Sequence, residues 1–357
     1  MQMTAYAPGR VELLGNHTDY NEGVVLSAAI DRGITITGEA SGGSLISLQS
    51  ADREVTIDLA NGLPEPLATN TWANYLLGVV RGLLEAGYPV AGFSAKISST
   101  LPTGAGLSSS AALEVATCLF SEKLFGFSLS PLDRAKLCKR AENVFVGVNC
   151  GLLDQVSSVF GAENAAIFLD CRAETVANVG FPDGFELLIT DSSVKHELTG
   201  GEYNERRAQC FEAAKVLGVK ALRDTTSEAV LAAPLDDVVR RRALHVTGEI
   251  ERVFRGVELL RTGNGAGFGE LMWASHESSR VNFENSTEEL DALVEIAHQI
   301  PGVYGSRLTG GGFGGATVSL IDAGKADAIS SEIQKRYVEK VGIECKTYLS
   351  RLSQGAR

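Results

Sequence analysis

The stretch of sequence that decides the fold is Leu101-Pro102-Thr103-Gly104-Ala105-Gly106-Leu107-Ser108-Ser109-Ser110-Ala111-Ala112-Leu113-Glu114. Two of its glycines, Gly104 and Gly106, let the backbone approach a ligand closely because they carry no side chain. The serines after them stand at the start of a predicted helix whose apolar residues continue through Phe120. Free N–H groups and the helix dipole at such an N-terminus favour phosphate, and a serine hydroxyl can reach Mg²⁺. The segment therefore predicts a phosphate-binding loop rather than serines that only cap a helix.

A second informative segment lies near the N-terminus and reads Gly9-Arg10-Val11-Glu12-Leu13-Leu14-Gly15-Asn16-His17-Thr18-Asp19-Tyr20-Asn21-Glu22-Gly23. An apolar strand is followed there by a dense set of polar side chains. Arg10 can neutralise a phosphate or a developing alkoxide, while His17 and Asp19 can hold sugar hydroxyls. Judged from these residues alone, a polar turn between two strands explains the segment equally well.

A third segment, Gly305-Ser306-Arg307-Leu308-Thr309-Gly310-Gly311-Gly312-Phe313-Gly314-Gly315, carries five glycines in its last six positions. Such a run is costly to order, because glycine loses more conformational freedom on folding than any other residue. Close approach to a ligand or to another loop explains it better than packing does, and a flexible hinge is the alternative. The glycines at 263–269 stand between two helical patterns and are interpreted as a helix–helix turn.

Bulk composition limits the classes of function. The chain has 357 residues, enough for two domains at about 100–200 residues each. Its net charge of −12 argues against broad binding of nucleic acid, although backbone N–H groups can still hold ATP on an acidic protein. The six cysteines show no zinc-ligand spacing and are expected to be reduced. Neither a membrane-spanning run nor a signal peptide is visible, so we expect a cytoplasmic enzyme that binds no membrane.

Hydrophobic periodicity predicts an α/β chain with helices and strands throughout. The predicted strands lie at 33–38, 93–97, 185–190, 316–321 and 344–349. The predicted helices lie at 72–85, 131–146, 202–217, 238–261, 289–298 and 325–341. A strand gives way to loop residues near 170–180, which suggests an N-terminal domain at 1–175 and a C-terminal domain at 176–357.

Together the three segments resemble the GHMP kinase superfamily and, within it, the galactokinase family. The N-terminal segment is similar to the family pattern G-R-V-N-L-I-G-E-H-T-D-Y-N-x-G, and the serine-rich segment to P-x-G-A-G-L-S-S-S-A. Cys150–Gln155, Trp72–Tyr75 and Glu202–Arg207 agree further, so the likeness spans essentially the whole chain. The resemblance implies a two-domain GHMP kinase fold of mixed α/β (α+β) type. Its N-terminal α/β domain would carry a left-handed-crossover-type phosphate-binding unit, and its C-terminal domain would be ferredoxin-like.

The resemblance also implies roles for particular residues in transfer of the ATP γ-phosphate to the anomeric hydroxyl of a galactose-like sugar. The implied catalytic base is Asp154, with Arg10 as its partner. The implied sugar contacts are Asn16, His17, Asp19, Gly151 and Tyr203. The implied ATP contacts are Trp72 at the adenine and Gly104, Ala105, Gly106, Leu107, Ser108, Ser109 and Ser110 at the phosphates. The implied Mg²⁺ ligands are Ser110 and Glu142, and the implied assembly is a monomer.

Chemistry agrees with this assignment, because phosphoryl transfer mostly needs positioning, charge neutralisation and one base near the hydroxyl. Position alone leaves a structural surface role for Asp154 equally open. A kinase for another galacto-configured sugar, such as galacturonate or N-acetylgalactosamine, is the main alternative. A non-catalytic sensor of ATP and galactose is a second alternative. Sensors of this kind lose part of the serine–alanine loop, whereas this chain keeps Ser108–Ala112 together with Arg10 and Asp154.

Three departures from the family pattern concern the sugar pocket and the loops around it. Asn16 stands where Glu is usual, and the resemblance implies that this Glu accepts a hydrogen bond from the sugar hydroxyl O6. We hypothesise that the pocket tolerates a modified C6, even a uronate; the alternative is that Asn16 binds O6 just as well. Asn149 stands where Pro is usual, which loosens the loop before Asp154. The segment 282–287 reads N-F-E-N-S-T instead of D-F-E-V-S-C, and the sequence offers no explanation for it.

Overall fold

Two β-sheets organise the chain in a computed structural model that describes residues 1–102, 104–194 and 201–357. Thr103 of the phosphate-binding segment lies outside the described residues. The first sheet has seven strands. These are β1 Met3–Leu14, β2 Val24–Ala40, β3 Leu45–Ser50, β4 Arg53–Asp58, β5 Phe93–Ser99, β6 Ala165–Asp170 and β7 Thr175–Gly180.

The long strand β2 holds the first sheet together. One edge of β2 pairs with β1, and its other edge pairs with β5 and β6, giving the order β4-β3-β5-β2-β6-β7. The β3–β5 pair is parallel, and the other pairs are antiparallel. The pairing of β1 with β2 is irregular between Pro8 and Arg10. Such a bulge turns the strand and changes where the next side chain points.

Four helices and one π-helical turn cover the first sheet. They are α1 Trp72–Glu85, α2 Ser109–Phe125, α3 Pro131–Arg140, the π-helical turn Ala141–Val146 and α4 Leu153–Phe160. The sequence predicted the start of α3 correctly, because the Ser130 side chain accepts from Asp133 N and Pro131 is the first helical residue. Helix α2 packs against β1 and β2 with most of its residues buried, which fixes its N-terminus beside β1.

The second sheet has four strands in the order β11-β8-β10-β9, and every pair in it is antiparallel. The strands are β8 Phe185–Asp191, β9 Val303–Thr309, β10 Ala316–Asp322 and β11 Lys346–Ser350. The helices are α5 Gly201–Leu217, α6 Ser227–Ala232, α7 Asp237–Arg261, α8 Gly265–Ser278, α9 Glu288–His298 and α10 Ala326–Val341. The β-α-β-β-α-β arrangement of this sheet, with α10 between β10 and β11, is ferredoxin-like as predicted.

The predicted strands and helices are confirmed in the described residues, and the fold is of mixed α/β type. The first sheet ends with β7, which pairs with β6, and the second sheet begins at Phe185; the domain boundary between residues 175 and 176 stays a prediction. The segment 305–309 belongs to β9 rather than to a loop. A Cβ at Gly305 would lie 2.5 Å from Gly269 Cα, so this glycine allows β9 to pack closely on α8.

The handedness of the crossover around the phosphate-binding segment stays a prediction. In the ranges that the structure describes, no helix is both long enough and apolar enough to cross a membrane.

Candidate active site

Arg10 and Asp154 form the centre of the site. Arg10 lies on β1 just after the bulge, and Asp154 lies in the first turn of α4. Arg10 Nε donates to Asp154 Oδ1 at 2.8 Å, and Nη2 donates to Oδ2 at 3.1 Å. This bidentate geometry is the strongest arrangement for an arginine–carboxylate pair. The Arg10 side chain is 6% exposed and that of Asp154 is 24% exposed, so the carboxylate is the member of the pair that a ligand can reach.

Residues 104–110, called the phosphate loop after their predicted role, lie against this pair. Arg10 Nη1 donates to Gly106 O at 2.7 Å. Ser108 adopts a left-handed φ of 53° and does not cap α2 with its side chain; its hydroxyl donates to Asp154 Oδ2 at 2.5 Å. The loop and the N-terminus of α2 therefore meet the Arg10–Asp154 pair directly.

Several side-chain oxygen atoms that could bind a metal ion lie beside the phosphate loop. Gln155 Nε2 donates to Glu142 Oε2 at 2.7 Å and to Glu114 Oε2 at 3.0 Å. Burial and the nearby charge of Asp154 raise the pKa of Glu142, whereas the Ser110 hydroxyl lowers it. Hydroxyl and carboxylate oxygens suit Mg²⁺, which takes few protein ligands and completes its shell with water and phosphate oxygens. The described residues hold no cluster of three His, Cys, Asp or Glu side chains that could bind a metal without such help.

Asp19, Gly151 and Tyr203 lie near one another and near Asp154. A Cβ at Gly151 would overlap Asp19 Oδ2, so the backbone at Gly151 packs directly against this carboxylate. Burial, together with the charge of Asp154, raises the pKa of Asp19. The Tyr203 ring lies 5.1 Å from the ring of His17. These groups are polar, partly enclosed and close to Asp154, as the predicted sugar pocket requires.

His17 lies behind this pocket with both ring nitrogens bonded. Nε2 lies 2.9 Å from Gly311 O and Nδ1 lies 2.8 Å from Tyr20 Oη. Since a carbonyl can only accept, Nε2 carries the hydrogen and Nδ1 accepts from the tyrosine hydroxyl. Burial lowers the pKa of His17 to about 4, so the ring is neutral near pH 7. The structure therefore shows His17 holding the glycine loop, residues 310–315; its predicted sugar contact stays a prediction.

Asn16 is buried, and its side chain makes three hydrogen bonds within the protein. Its Nδ2 donates to Glu12 Oε2 at 3.0 Å and to Gly310 O at 2.8 Å, and its Oδ1 accepts from Asn285 Nδ2 at 2.8 Å. Both amide hydrogens are thus used within the protein. A sugar hydroxyl could still donate to the second lone pair of Oδ1. The predicted contact between Asn16 and the sugar stays a prediction.

Trp72 lies at the start of α1, apart from the Arg10–Asp154 pair. The Arg53 guanidinium lies 5.2 Å from the centre of its ring. The indole Nε1 is buried without a hydrogen-bond partner among the described residues. An unpaired buried donor of this kind calls for an acceptor, which an adenine ring nitrogen could supply.

Three residues that matter to the site were missed in the sequence: Glu12, Glu249 and Asn285. Glu249 Oε2 accepts from the backbone N–H groups of Gly15 and Asn16 at 2.8 and 3.0 Å and so fixes the loop that follows β1. Although burial opposes it, Arg252 holds the pKa of Glu249 below its ordinary value. A signal was present, because a charged residue at position 249 falls on the apolar face of a long predicted helix.

Three family models match the chain. "GHMP kinases N terminal domain" matches residues 74–162, "Galactokinase galactose-binding signature" matches residues 2–39, and "GHMP kinases C terminal" matches residues 257–339. The galactokinase of Thermotoga neapolitana is 40% identical to the chain over 343 residues, which cover 96% of each protein. The galactokinase of Homo sapiens is 42% identical over 368 residues, which cover 100% of the chain and 92% of that protein.

Solved structures show the same similarity in three dimensions. The galactokinase of Lactococcus lactis complexed with galactose superposes with a TM-score of 0.94 at 32% identity, covering 100% of the chain and 95% of that structure. A mevalonate kinase superposes with a TM-score of 0.72 at 21% identity, covering 99% of each chain, and shows the fold alone.

Replacing Gly151 by alanine tests the contact with Asp19. The added methyl group occupies the position of Asp19 Oδ2 and displaces the carboxylate, which is the flexible end of a side chain. We therefore expect Gly151→Ala to weaken sugar binding by about tenfold or more, while its thermal unfolding changes little. KM for the sugar and the melting temperature measure the two effects. Gly180→Ala is the matched control, because a Cβ there meets no atom within 4 Å. An unchanged KM in Gly151→Ala contradicts the assignment.

Glu12 makes the stability of the fold depend on pH. Burial raises its pKa from 4.5 to about 7, against the attraction of Arg307 and Arg10 and the hydrogen bond from Asn16; the charge of Asp19 raises it slightly further. A carboxyl whose pKa is raised in the folded chain stabilises the fold while it is protonated. This contribution is complete below about pH 4.5 and is lost as the pH rises through about 7.

Glu12→Gln removes this titration without changing the length of the side chain. As the pH rises from 5 to 8, wild type should lose about 2 kcal/mol of unfolding free energy relative to the variant. Urea unfolding at both pH values measures the difference. A difference between the two proteins that stays constant with pH would show that Glu12 ionises in the folded chain as it does in the unfolded chain.

Proposed function

The chain belongs to the galactokinase family of the GHMP kinase superfamily, and we propose that it transfers the γ-phosphate of ATP to the anomeric hydroxyl of galactose, giving galactose 1-phosphate and ADP. The single observation that carries this proposal is the Arg10–Asp154 pair in direct contact with the phosphate loop. It supplies one base for a hydroxyl and one cation for a phosphate at the same place. That combination is what phosphoryl transfer to an alcohol requires.

Asp154 acts as the base in this proposal. It accepts the proton of the anomeric hydroxyl as the sugar oxygen attacks the γ-phosphorus in line with the departing ADP. Two hydrogen bonds from Arg10 and one from Ser108 fix the orientation of the carboxylate. The guanidinium also reaches Gly106 in the phosphate loop, so its charge lies where negative charge accumulates during transfer.

Nucleotide binding is assigned to the phosphate loop and the helix that follows it. The backbone at Gly104–Ser110 and the dipole of α2 would hold the phosphates, and Trp72 would line the adenine pocket. Ser110 and Glu142 would hold Mg²⁺, which neutralises phosphate charge when bound. A monomeric, cytoplasmic enzyme stays a prediction.

Sugar binding is assigned to Asp19, Gly151 and Tyr203, with Asn16 and His17 behind them. Asp19 lies near enough to Asp154 for their charges to interact, which supports assigning Asp19 to the reacting end of the pocket. The internal bonds of Asn16 leave one lone pair for a sugar hydroxyl, so galactose remains the preferred substrate in this proposal. A uronate would bring a carboxylate towards Glu12 and Asp19, which disfavours it unless they are protonated.

The proposed function is tested by release of ADP from Mg-ATP with a panel of sugars. The panel contains galactose, glucose, galacturonate, N-acetylgalactosamine, L-arabinose and fucose. We expect galactose to give the highest kcat/KM, because the whole chain is similar to galactokinases. Asp154→Asn keeps the shape of the side chain but removes the base, and should lower kcat by about 10²–10⁴-fold.

The outcomes separate the alternatives. If another galacto-configured sugar has the highest kcat/KM, the reaction class stands and the assigned sugar is wrong. Binding of both ATP and galactose without turnover would identify a sensor. Full activity of Asp154→Asn would show that the base lies elsewhere.

A further inference from the structure

Three buried side chains form a continuous hydrogen-bonded chain beside the site: Glu12, Asn16 and Asn285. Their exposed fractions are 2%, 1% and 0%. The carboxylate of Glu12 accepts from the amide of Asn16 at 3.0 Å, and the oxygen of Asn16 accepts from the amide of Asn285 at 2.8 Å. Glu12 belongs to β1, whereas Asn285 precedes α9 in the part of the chain that forms the second sheet. These hydrogen bonds therefore link the two domains.

These bonds end on the glycine loop. Asn16 Nδ2 donates to Gly310 O at 2.8 Å and Asn285 Nδ2 donates to Gly311 O at 3.0 Å. The backbone of Asn285 takes part as well, because its carbonyl accepts from Phe313 N at 2.6 Å. Three contacts thus fix the loop from one side.

The glycine loop in turn touches both halves of the candidate site. A Cβ at Gly310 would lie 3.2 Å from Gly106 O in the phosphate loop and 3.6 Å from Arg10 Nη2. A Cβ at Gly311 would lie 3.7 Å from the ring of Tyr203 on the sugar side. A shift of the glycine loop would therefore be felt by the nucleotide, by the base and by the sugar.

The orientation of the Asn16 amide is set by its neighbours. Gly310 O can only accept, and the Glu12 carboxylate accepts, so the NH₂ group of Asn16 must face both of them. Compared with the pattern G-R-V-N-L-I-G-E-H, this chain has the carboxylate at position 12 and the amide at position 16, the reverse of the usual order. The third member, Asn285, stands in the 282–287 segment at the position where Val is usual. The departures from the family pattern at 12 and 285 are thus linked to each other through hydrogen bonds to the third, Asn16.

We propose that Glu12, Asn16 and Asn285 form a clamp that positions the glycine loop, and that Glu12 and Asn16 do so as a matched pair of one carboxyl and one amide. The clamp residues are positioning residues rather than catalytic ones. The kinetic part of this inference rests on the proposed sugar kinase activity. The structural part does not, because the position of the loop can be measured without turnover.

The test exchanges the two groups without changing side-chain length, at pH 8. Asn16→Asp replaces the NH₂ group that faces Glu12 and Gly310 O by an oxygen, so three hydrogen-bond acceptors meet without a donor. This variant should lower kcat/KM by about 100-fold. Glu12→Gln leaves an acceptor for Asn16 and should change kcat/KM by less than about threefold. The double variant Glu12→Gln/Asn16→Asp restores one donor to the pair, and should be about tenfold more active than Asn16→Asp alone.

Amide hydrogen exchange of the glycine loop is the second readout. We expect faster exchange at Phe313 N–H in Asn16→Asp and in Asn285→Leu, with partial recovery in the double variant and no change in α10. A general loss of stability would speed exchange in both places, so the pattern separates positioning from a merely structural role. The control is the double variant Gln49→Glu/Glu54→Gln, which swaps the two groups of an exposed amide–carboxylate pair in the β3–β4 hairpin. It should alter neither kcat/KM nor the hydrogen exchange of the glycine loop.

Two results would overturn the proposal. The first is a double variant whose loss of kcat/KM equals the product of the losses in the two single variants. The side chains would then act independently. The second is unchanged exchange of the glycine loop in Asn285→Leu, which decides the matter even if Asn16→Asp does not fold. Absence of turnover in the wild-type protein would refute the proposed function, while the exchange measurement would still test the clamp.

Discussion

The guanidinium of Arg10 is the group on which the rest of the site depends. It binds Asp154 through two hydrogen bonds and the carbonyl of Gly106 through a third, so it joins β1, α4 and the phosphate loop. A buried cation without such partners would cost several kcal/mol, because the interior lacks the water that would otherwise solvate its charge. The three segments are therefore held at fixed distances, so the proposed base, its cationic partner and the proposed phosphate site are preorganised.

The junction between the two domains continues this arrangement with buried polar groups. Glu249 holds the loop after β1, neutral His17 holds the glycine loop, and Glu12 and Asn16 connect the two. In a low-dielectric interior such a network is rigid when its members are paired, and it leaves few alternative arrangements. The site thus gains its order from polar contacts between domains, while one hydrophobic core shared by the two sheets packs the domains together.

Much of the fold could be predicted because its signals are local. Periodicity gave the helices at 72–85 and 131–146, and a serine followed by proline gave the start of α3. The prediction of a phosphate loop also rests on a local signal, since glycines and serines before a helix favour anions. The 282–287 segment had no explanation in the sequence, because the meaning of Asn285 depends on a partner 269 residues away.

The sequence by itself determined which groups the chain offers: an arginine, a carboxylate, a glycine-rich loop and the polar side chains of the segment after β1. Tertiary structure decided how they are paired. Asp154 lies 144 residues from Arg10, and it is the packing of α4 against β1 that brings them into contact. Burial, not composition, makes His17 neutral and Glu12 hard to ionise. Local sequence fixes the backbone and the available chemistry, whereas hydrogen-bond partners and dielectric surroundings arise only when distant segments meet.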